Sequence, residues 1–183
     1  MATLQVKAKN RKPVIGTMYF AIREEAKKLG ANCFIINYYV WDTLNNVSIL
    51  VLDSYYASDS ILTINAIGHE TNAVYIFGKE GMDEKTISFT VKGEKMEIKS
   101  GTFLKYALTE KDDFYISKGG FAGESIRIMW GSNMPPAFYT LSGFGVDEMM
   151  LFNDRIAFHS GKINQLSNIS LGLLLTHLLK QGN

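Results

Sequence analysis

The chain has one cysteine, Cys33, among 183 residues. A single thiol closes no internal disulfide, which excludes a disulfide-stapled scaffold. Its neighbours Phe34, Ile35 and Ile36 make it read as a small hydrophobe, with no base nearby in sequence to make it a nucleophile. An excess of either charge is also missing. Lys and Arg number 19 against 18 Asp and Glu, a formal net charge of +1. That balance leaves no electrostatic footprint for nucleic acid, so no nucleic-acid partner is expected. No apolar run reaches the roughly 18 residues of a membrane-spanning helix. The opening MATLQVKAKNRK has neither the apolar segment nor the cleavage site of a signal peptide. Two locations are compatible with that start. One is the cytoplasm; the other is the periplasm or outer membrane, with Met1-Ala2 replacing a removed leader.

Catalytic and metal-binding motifs are absent too. His69-Glu70 has no HExxH or paired-histidine spacing around it, and His159 and His177 are remote, so these read as surface histidines. Asp112-Asp113 lacks the alternating oxygen ligands of a calcium loop and reads as solvated turn charge. The cluster Lys118-Gly119-Gly120-Phe121-Ala122-Gly123 has neither the order nor the following helix of a phosphate cradle. Between two strands it reads as a wide turn or bulge, and Gly143-Phe144-Gly145 reads the same way. Ser132 and Ser142 do not form GxSxG, and no pair among Asp53, Asp59, Glu124 and Asp147 is singled out by spacing. No cofactor and no metal are expected, and an enzyme is not the leading reading.

What is present is enough apolar material, 46% of residues, to build a core. Leu4, Val6 and Ala8 alternate with polar residues and predict a short strand. Pro13 and Gly16 break it, and Thr17 is placed to cap a helix reaching Leu29, where Gly30 stops it. Cys33 to Trp41, CFIINYYVW, reads as a strand covered on both faces, and Val47 to Ala57 as its neighbour across the turn Asn45-Asn46. From Thr63 onward the pattern becomes short strands between turns. These are Thr63–Ile67, Ala73–Phe77, Thr86–Val91, Lys95–Ile98, Thr102–Leu108, Phe114–Ser117, Ser125–Trp130 and Ala137–Leu141. Lys92-Gly93-Glu94 marks a tight hairpin. Near the end, Ser167 or Asn168 is placed to cap a helix to Lys180, whose leucines cover nearly its whole circumference.

These signals predict an α+β protein with an antiparallel, sandwich-like middle. Residues 1–68 form a β-α-β-β unit, 69–150 the β-module, and 151–183 a helical segment docked on the body. The aromatics Tyr38, Tyr39, Trp41, Tyr55 and Tyr56 fall on neighbouring strands. Consecutive strand residues point to opposite faces, so each tyrosine pair offers a ring to each face. An open face would present an aromatic platform to a partner protein or a glycan. Those five residues and Lys118 are the candidate binding residues. A pocket between the α/β unit and the β-module, near His69 and Glu70, serving a small-ligand sensor or an enzyme, is the alternative. The carboxy-terminal helix is a candidate surface for oligomerisation.

Two stretches resemble known families. Ala26-Lys27-Lys28-Leu29-Gly30-Ala31-Asn32-Cys33-Phe34-Ile35 resembles the A-x-x-L-G-A-N helix-to-strand junction of small α/β bacterial envelope proteins, among them periplasmic stress-sensing lipoproteins. The stretch from Asn72-Ala73-Val74-Tyr75-Ile76-Phe77-Gly78 to Trp130 is similar to uncharacterised lipoprotein β-modules. Phe89, Val91, Gly93, Ile98, Gly101 and Phe103 occupy that pattern. Both resemblances imply a bacterial envelope protein, secreted or held by a lipid anchor outside this chain. Neither supplies catalytic residues. The chain departs from both in having no leader and no lipid-acceptor cysteine near its start.

Overall fold

Side chains of the first strand, Ala2–Lys9, alternate between half-buried and exposed. The computed structural model describes residues 1–9, 15–42, 44–79, 86–119, 123–141 and 163–182. The chain divides into two units, Met1–Gly68 and His69–Asn183. Together the described residues hold three helices and twelve strands in three sheets, an α+β fold.

The first unit runs β1 (Ala2–Lys9), α1 (Ile15–Lys28), β2 (Cys33–Asp42), β3 (Val47–Tyr55), α2 (Asp59–Ile67). Its strands form an antiparallel sheet in the order β1-β3-β2. Leu4, Val6 and Ala8 of β1 lie opposite Leu52, Leu50 and Ser48 of β3, so one face gathers the apolar set. Helix α1 covers that face: Ser48 Oγ meets Met18 Sδ at 3.6 Å, and Phe34 lies edge-on to Tyr19 at 5.6 Å. The buried residues Ile15, Met18, Tyr19 and Ile22 recur at helical spacing, which turns one stripe of α1 inward. The helix starts at Ile15, ahead of the expected Thr17 cap. It ends as expected at Gly30, whose φ of 75° lets Gly30 N–H reach Lys27 O and Ala31 N–H reach Ala26 O. Asn32 does more than satisfy that turn. Its side chain donates to Ala57 O and accepts from Ala57 N–H, both at 2.8 Å, fastening the junction to the end of β3.

Two expectations for this unit are overturned. Thr63–Ile67 is the second half of α2, not a strand, because Ile61, Ile64 and Ile67 follow the helical three-residue step. Strand β2 is not covered on both faces: Phe34 packs against Tyr19 of α1 on one side, while Ile35, Tyr38 and Val40 remain exposed on the other.

The second unit is a sandwich of two sheets with a helix on its outside. One sheet has the order β11-β10-β4-β7-β12, from β4 (Ala73–Phe77), β7 (Thr102–Ala107), β10 (Ala137–Leu141), β11 (Ile163–Gln165) and β12 (Lys180–Gln181). The other has the order β6-β5-β8-β9, from β5 (Thr86–Val91), β6 (Glu94–Lys99), β8 (Phe114–Lys118) and β9 (Glu124–Ile128). Strands β5 and β6 turn at Lys92-Gly93, both at positive φ, as the hairpin signal requires. Val74, Ile76, Leu104, Tyr139 and Leu141 of the first sheet share one core with Phe89, Val91, Ile98, Phe114 and Ile116 of the second.

On the far side of the five-stranded sheet, Tyr75, Phe77 and Phe138 stack, with Phe103 tilted against them. Helix α3 (Ile169–Leu178) covers this aromatic layer. Asn168 caps it, accepting from Leu171 N–H at 2.9 Å. Its buried side is Leu171, Gly172, Leu174 and Leu175, while Ile169 and His177 face outward. Gly172 is required by proximity: a Cβ there would run into the ring carbons of Phe138.

Because Phe138 is fully buried in its stack, the ring has no room to withdraw. Gly172→Ala gains about 1 kcal/mol of helix propensity but overpacks the interface by roughly 1–3 kcal/mol, so a net loss of about 1 kcal/mol is expected. Urea unfolding measures it. The same substitution made beside Phe138→Leu is expected to be neutral or stabilising, because the clashing ring is gone.

Candidate functional site

The outward face of the amino-terminal sheet is where the candidate aromatics must be judged. Along β2, Ile36 lies opposite Leu52 and Tyr38 opposite Val51, so Asn37 is one residue extra, a β-bulge. The bulge decides which ring goes where. Tyr39 and Trp41 lie opposite Leu50 and Ser48 and share the α1 side. Both are half-buried. Trp41 Nε1 is buried with no hydrogen-bond partner among the described residues. Tyr38 lies on the open face and is 45% exposed. Tyr55 is on the same face but half-buried at the sheet's end, where its carbonyl accepts from Cys33 Sγ at 3.5 Å. Burial raises the Tyr55 phenol above its ordinary value, with Cys33 adding to the effect. Tyr56 is exposed but follows the last residue of β3, so the expected pairing of Tyr55 with Tyr56 on two faces of one strand does not hold.

The open face has two halves. On β1 it carries Thr3, Gln5, Lys7 and Lys9. On β2 it carries Ile35, Tyr38 and Val40, exposed at 58%, 45% and 47%, with Ile49 and the buried Val51 of β3 beside them. Asp53 bridges the halves, accepting from Thr3 Oγ1 at 2.6 Å and from Asn37 Nδ2 at 3.3 Å. At the hairpin end, Asp42 accepts from Asn45 Nδ2 and from the Leu44 and Asn45 N–H groups, which lowers its carboxyl pKa. Ile35 and Val40 are the residues that sequence reasoning missed. Asn37, the one amide inside the apolar run, is the signal that marks the bulge and hence the open side.

Lys118 belongs to the second unit, at the end of β8, where desolvation lowers its pKa. The strands on either side pair through Lys118 and Glu124, so the glycine cluster joins a hairpin. A Cβ on Gly123 would strike the Gly119 carbonyl, which is the close backbone approach the turn reading requires. The expectations for Gly120, Phe121, Ala122, Ser142, Gly143-Phe144-Gly145, Asp147 and His159 lie outside the described residues.

Three of the remaining polar candidates, Glu70, Asp112 and Asp113, are engaged in the scaffold. Glu70 accepts from Tyr75 Oη at 2.9 Å and from Lys105 Nζ at 2.8 Å, and the Lys105 contact is the main reason its pKa is lowered. Asp112 accepts from Lys92 Nζ, Thr109 N–H and Thr109 Oγ1, which together hold its carboxyl at about 2, Lys92 most of all. Asp113 accepts from Arg127 at 2.7 Å. Among the described residues, no three His, Cys, Asp or Glu side chains come together to hold a metal ion. No helix among the described residues is long and apolar enough to cross a membrane. Comparison with protein-family models, curated proteins and solved structures finds no match to this chain.

Burial and the Glu70 carboxylate push the Tyr75 phenol up to about 12. An acid held above its ordinary value of 10.0 keeps its full stabilising contribution below that pH and loses it as pH rises to about 12. Tyr75→Phe is therefore expected to flatten the fall in stability between pH 10 and 12. Denaturant titrations across that range, with tyrosinate absorbance followed in parallel, check it. An unchanged alkaline slope refutes the assignment to Tyr75.

Proposed function

We propose that the chain is a non-enzymatic binding protein of the bacterial envelope that holds another protein on the open face of its amino-terminal sheet. The observation that carries this reading is the apolar half of that face, Ile35, Tyr38 and Val40, bordered by Thr3, Gln5 and Lys7. Single exposed apolar residues are ordinary, but a contiguous group with a polar border marks a contact surface. A glycan platform needs aromatic rings offered side by side with polar groups at their edges. Here one ring, Tyr38, stands between two β-branched aliphatic residues, which supports protein over glycan. The sensor or enzyme alternative rested on His69 and Glu70, and Glu70 is already occupied by Tyr75 and Lys105. The envelope location is supported by the helix-to-strand junction and β-module resemblances.

Two experiments test the reading. A photo-crosslinking residue is placed at Tyr38 and, for comparison, at the exposed Glu25 of α1, and each variant is irradiated in native cells. Discrete protein adducts from position 38 and none from position 25 are expected. Equal labelling at both positions, or binding to a glycan array without a protein adduct, overturns the protein-partner reading. For location, mass spectrometry of the native amino terminus in separated membrane and soluble fractions is expected to find a precursor carrying a lipid-modified cysteine upstream of Thr3. An unmodified start in the soluble cytoplasm removes the envelope assignment.

A further inference from the structure

A strand at the rim of a sheet presents unpaired N–H and C=O groups, and proteins blunt such rims with charge, with shortness or with a bulge that twists the strand away. The described sheets have six rim strands, and five of them are blunted by charge or by shortness. Strand β1 carries Lys7 and Lys9, β6 carries Glu94, Lys95, Glu97 and Lys99, and β9 carries Glu124 and Arg127. Strands β11 and β12 are three and two residues long. Strand β2 is different. It runs for ten residues, its one charge is the final Asp42, and among the described residues its only strand neighbour is β3.

We propose that β2 pairs antiparallel with β2 of a second copy of this chain, about a two-fold axis through the Asn37 bulge, giving one continuous six-stranded sheet. The strand's own pattern selects this occupant. The bulge makes Asn37 and Tyr38 a single step opposite Val51, which leaves four residues on each side, Cys33 to Ile36 and Tyr39 to Asp42. An antiparallel two-fold centred there sets Ile36 opposite Tyr39 of the second copy, Ile35 opposite Val40, Phe34 opposite Trp41 and Cys33 opposite Asp42. Each of these pairs shares a face, as directly opposed residues must. Ile36, Tyr39, Phe34 and Trp41 are on the α1 side, and Ile35 and Val40 are on the open side. Phe34 meets the aromatic Trp41, Ile35 meets the β-branched Val40, Ile36 meets the ring of Tyr39, and no charge meets its own sign.

The bulge also limits the assembly. Were all ten residues of β2 in regular alternation with no bulge, Ile35 and Val40, five positions apart, would point to opposite faces and the centred register would fail. Once β2 is paired, the outer strands of the joined sheet are the two β1 strands, with Lys7 and Lys9 against further addition. The exposed apolar residues Ile35, Tyr38 and Val40 then form the middle of the joined face. The polar β1 residues form its border, the arrangement typical of protein interfaces. This inference concerns the rim of the sheet and does not rest on the binding role of its face.

Sedimentation equilibrium of the full chain tests it, with a monomer–dimer equilibrium expected. I35K/V40K sets lysine against lysine at both symmetric positions and is expected to weaken dimerisation about tenfold or more. I35K/V40E sets each new lysine against a new glutamate and is expected to recover most of that loss. Hydrogen exchange of the unmodified protein gives a readout that needs no variant: β2 amides are expected to gain protection as concentration rises, and β1 amides to stay unchanged. Four results overturn the proposal. They are a monomer at all concentrations, a dimer equally strong in both variants, protection that appears at β1 instead, and capture of the β2 rim by a different protein in place of self-pairing. An adduct of position 38 with a second copy of this chain reports this pairing, and an adduct with a different protein reports the proposed partner, so the mass of the adduct separates the two readings.

Discussion

Strand β4 is buried along its whole length, and the second unit is organised around that requirement. All five residues of Ala73–Phe77 are withdrawn from water, so the strand needs an apolar layer on each side. Val74 and Ile76 find theirs in the opposing four-stranded sheet. Tyr75 and Phe77 find theirs in Phe103, Phe138 and the helix above. Both the sandwich and the docked helix follow from one five-residue run. The glycine in α3 follows too, since a helix can approach a stacked ring this closely only where it lacks a side chain.

The amino-terminal sheet meets the same requirement only halfway. Helix α1 covers one face, and the other face is finished in two different ways. On β1 the residues are Thr, Gln and Lys, which water solvates, and on β2 they are Ile, Tyr and Val, which it does not. A sheet can tolerate one wet face at no cost when that face is polar throughout. A face that is polar on one side and apolar on the other retains a local driving force for contact. That asymmetry, rather than the count of aromatic rings, is what distinguishes this surface.

Much of the scaffold was legible because its signals are local. The hairpin at Lys92-Gly93, the stop at Gly30 and the run Ala73–Phe77 each depend on a few adjacent residues whose backbone preferences agree. The α2 segment was not legible. Isoleucine and threonine favour strands, and only the three-residue step of Ile61, Ile64 and Ile67 betrays the helix, in a segment where no residue is buried to anchor the reading. The candidate site was legible in outline, since Tyr38 and Tyr39 do separate to opposite faces. It was wrong in detail beyond that point. Tyr56 lies past the strand, and the open side belongs to Ile35 and Val40 as much as to a ring. A bulge changes the parity of every later residue, and parity is the quantity that sequence alternation relies on.

The carboxylates make the complementary case. Asp53 joins strands through Thr3 and Asn37, Glu70 holds Tyr75 and Lys105, and Asp112 closes its turn with Thr109 and Lys92. Asp113 meets Arg127, and Glu124 accepts the Ile163 N–H at 2.7 Å, tying β9 to β11. These five carboxylates serve to position strands and turns. Among the described residues, the amino-terminal sheet leaves exposed apolar surface and one long strand rim with a single terminal charge, and both are features through which proteins meet other proteins.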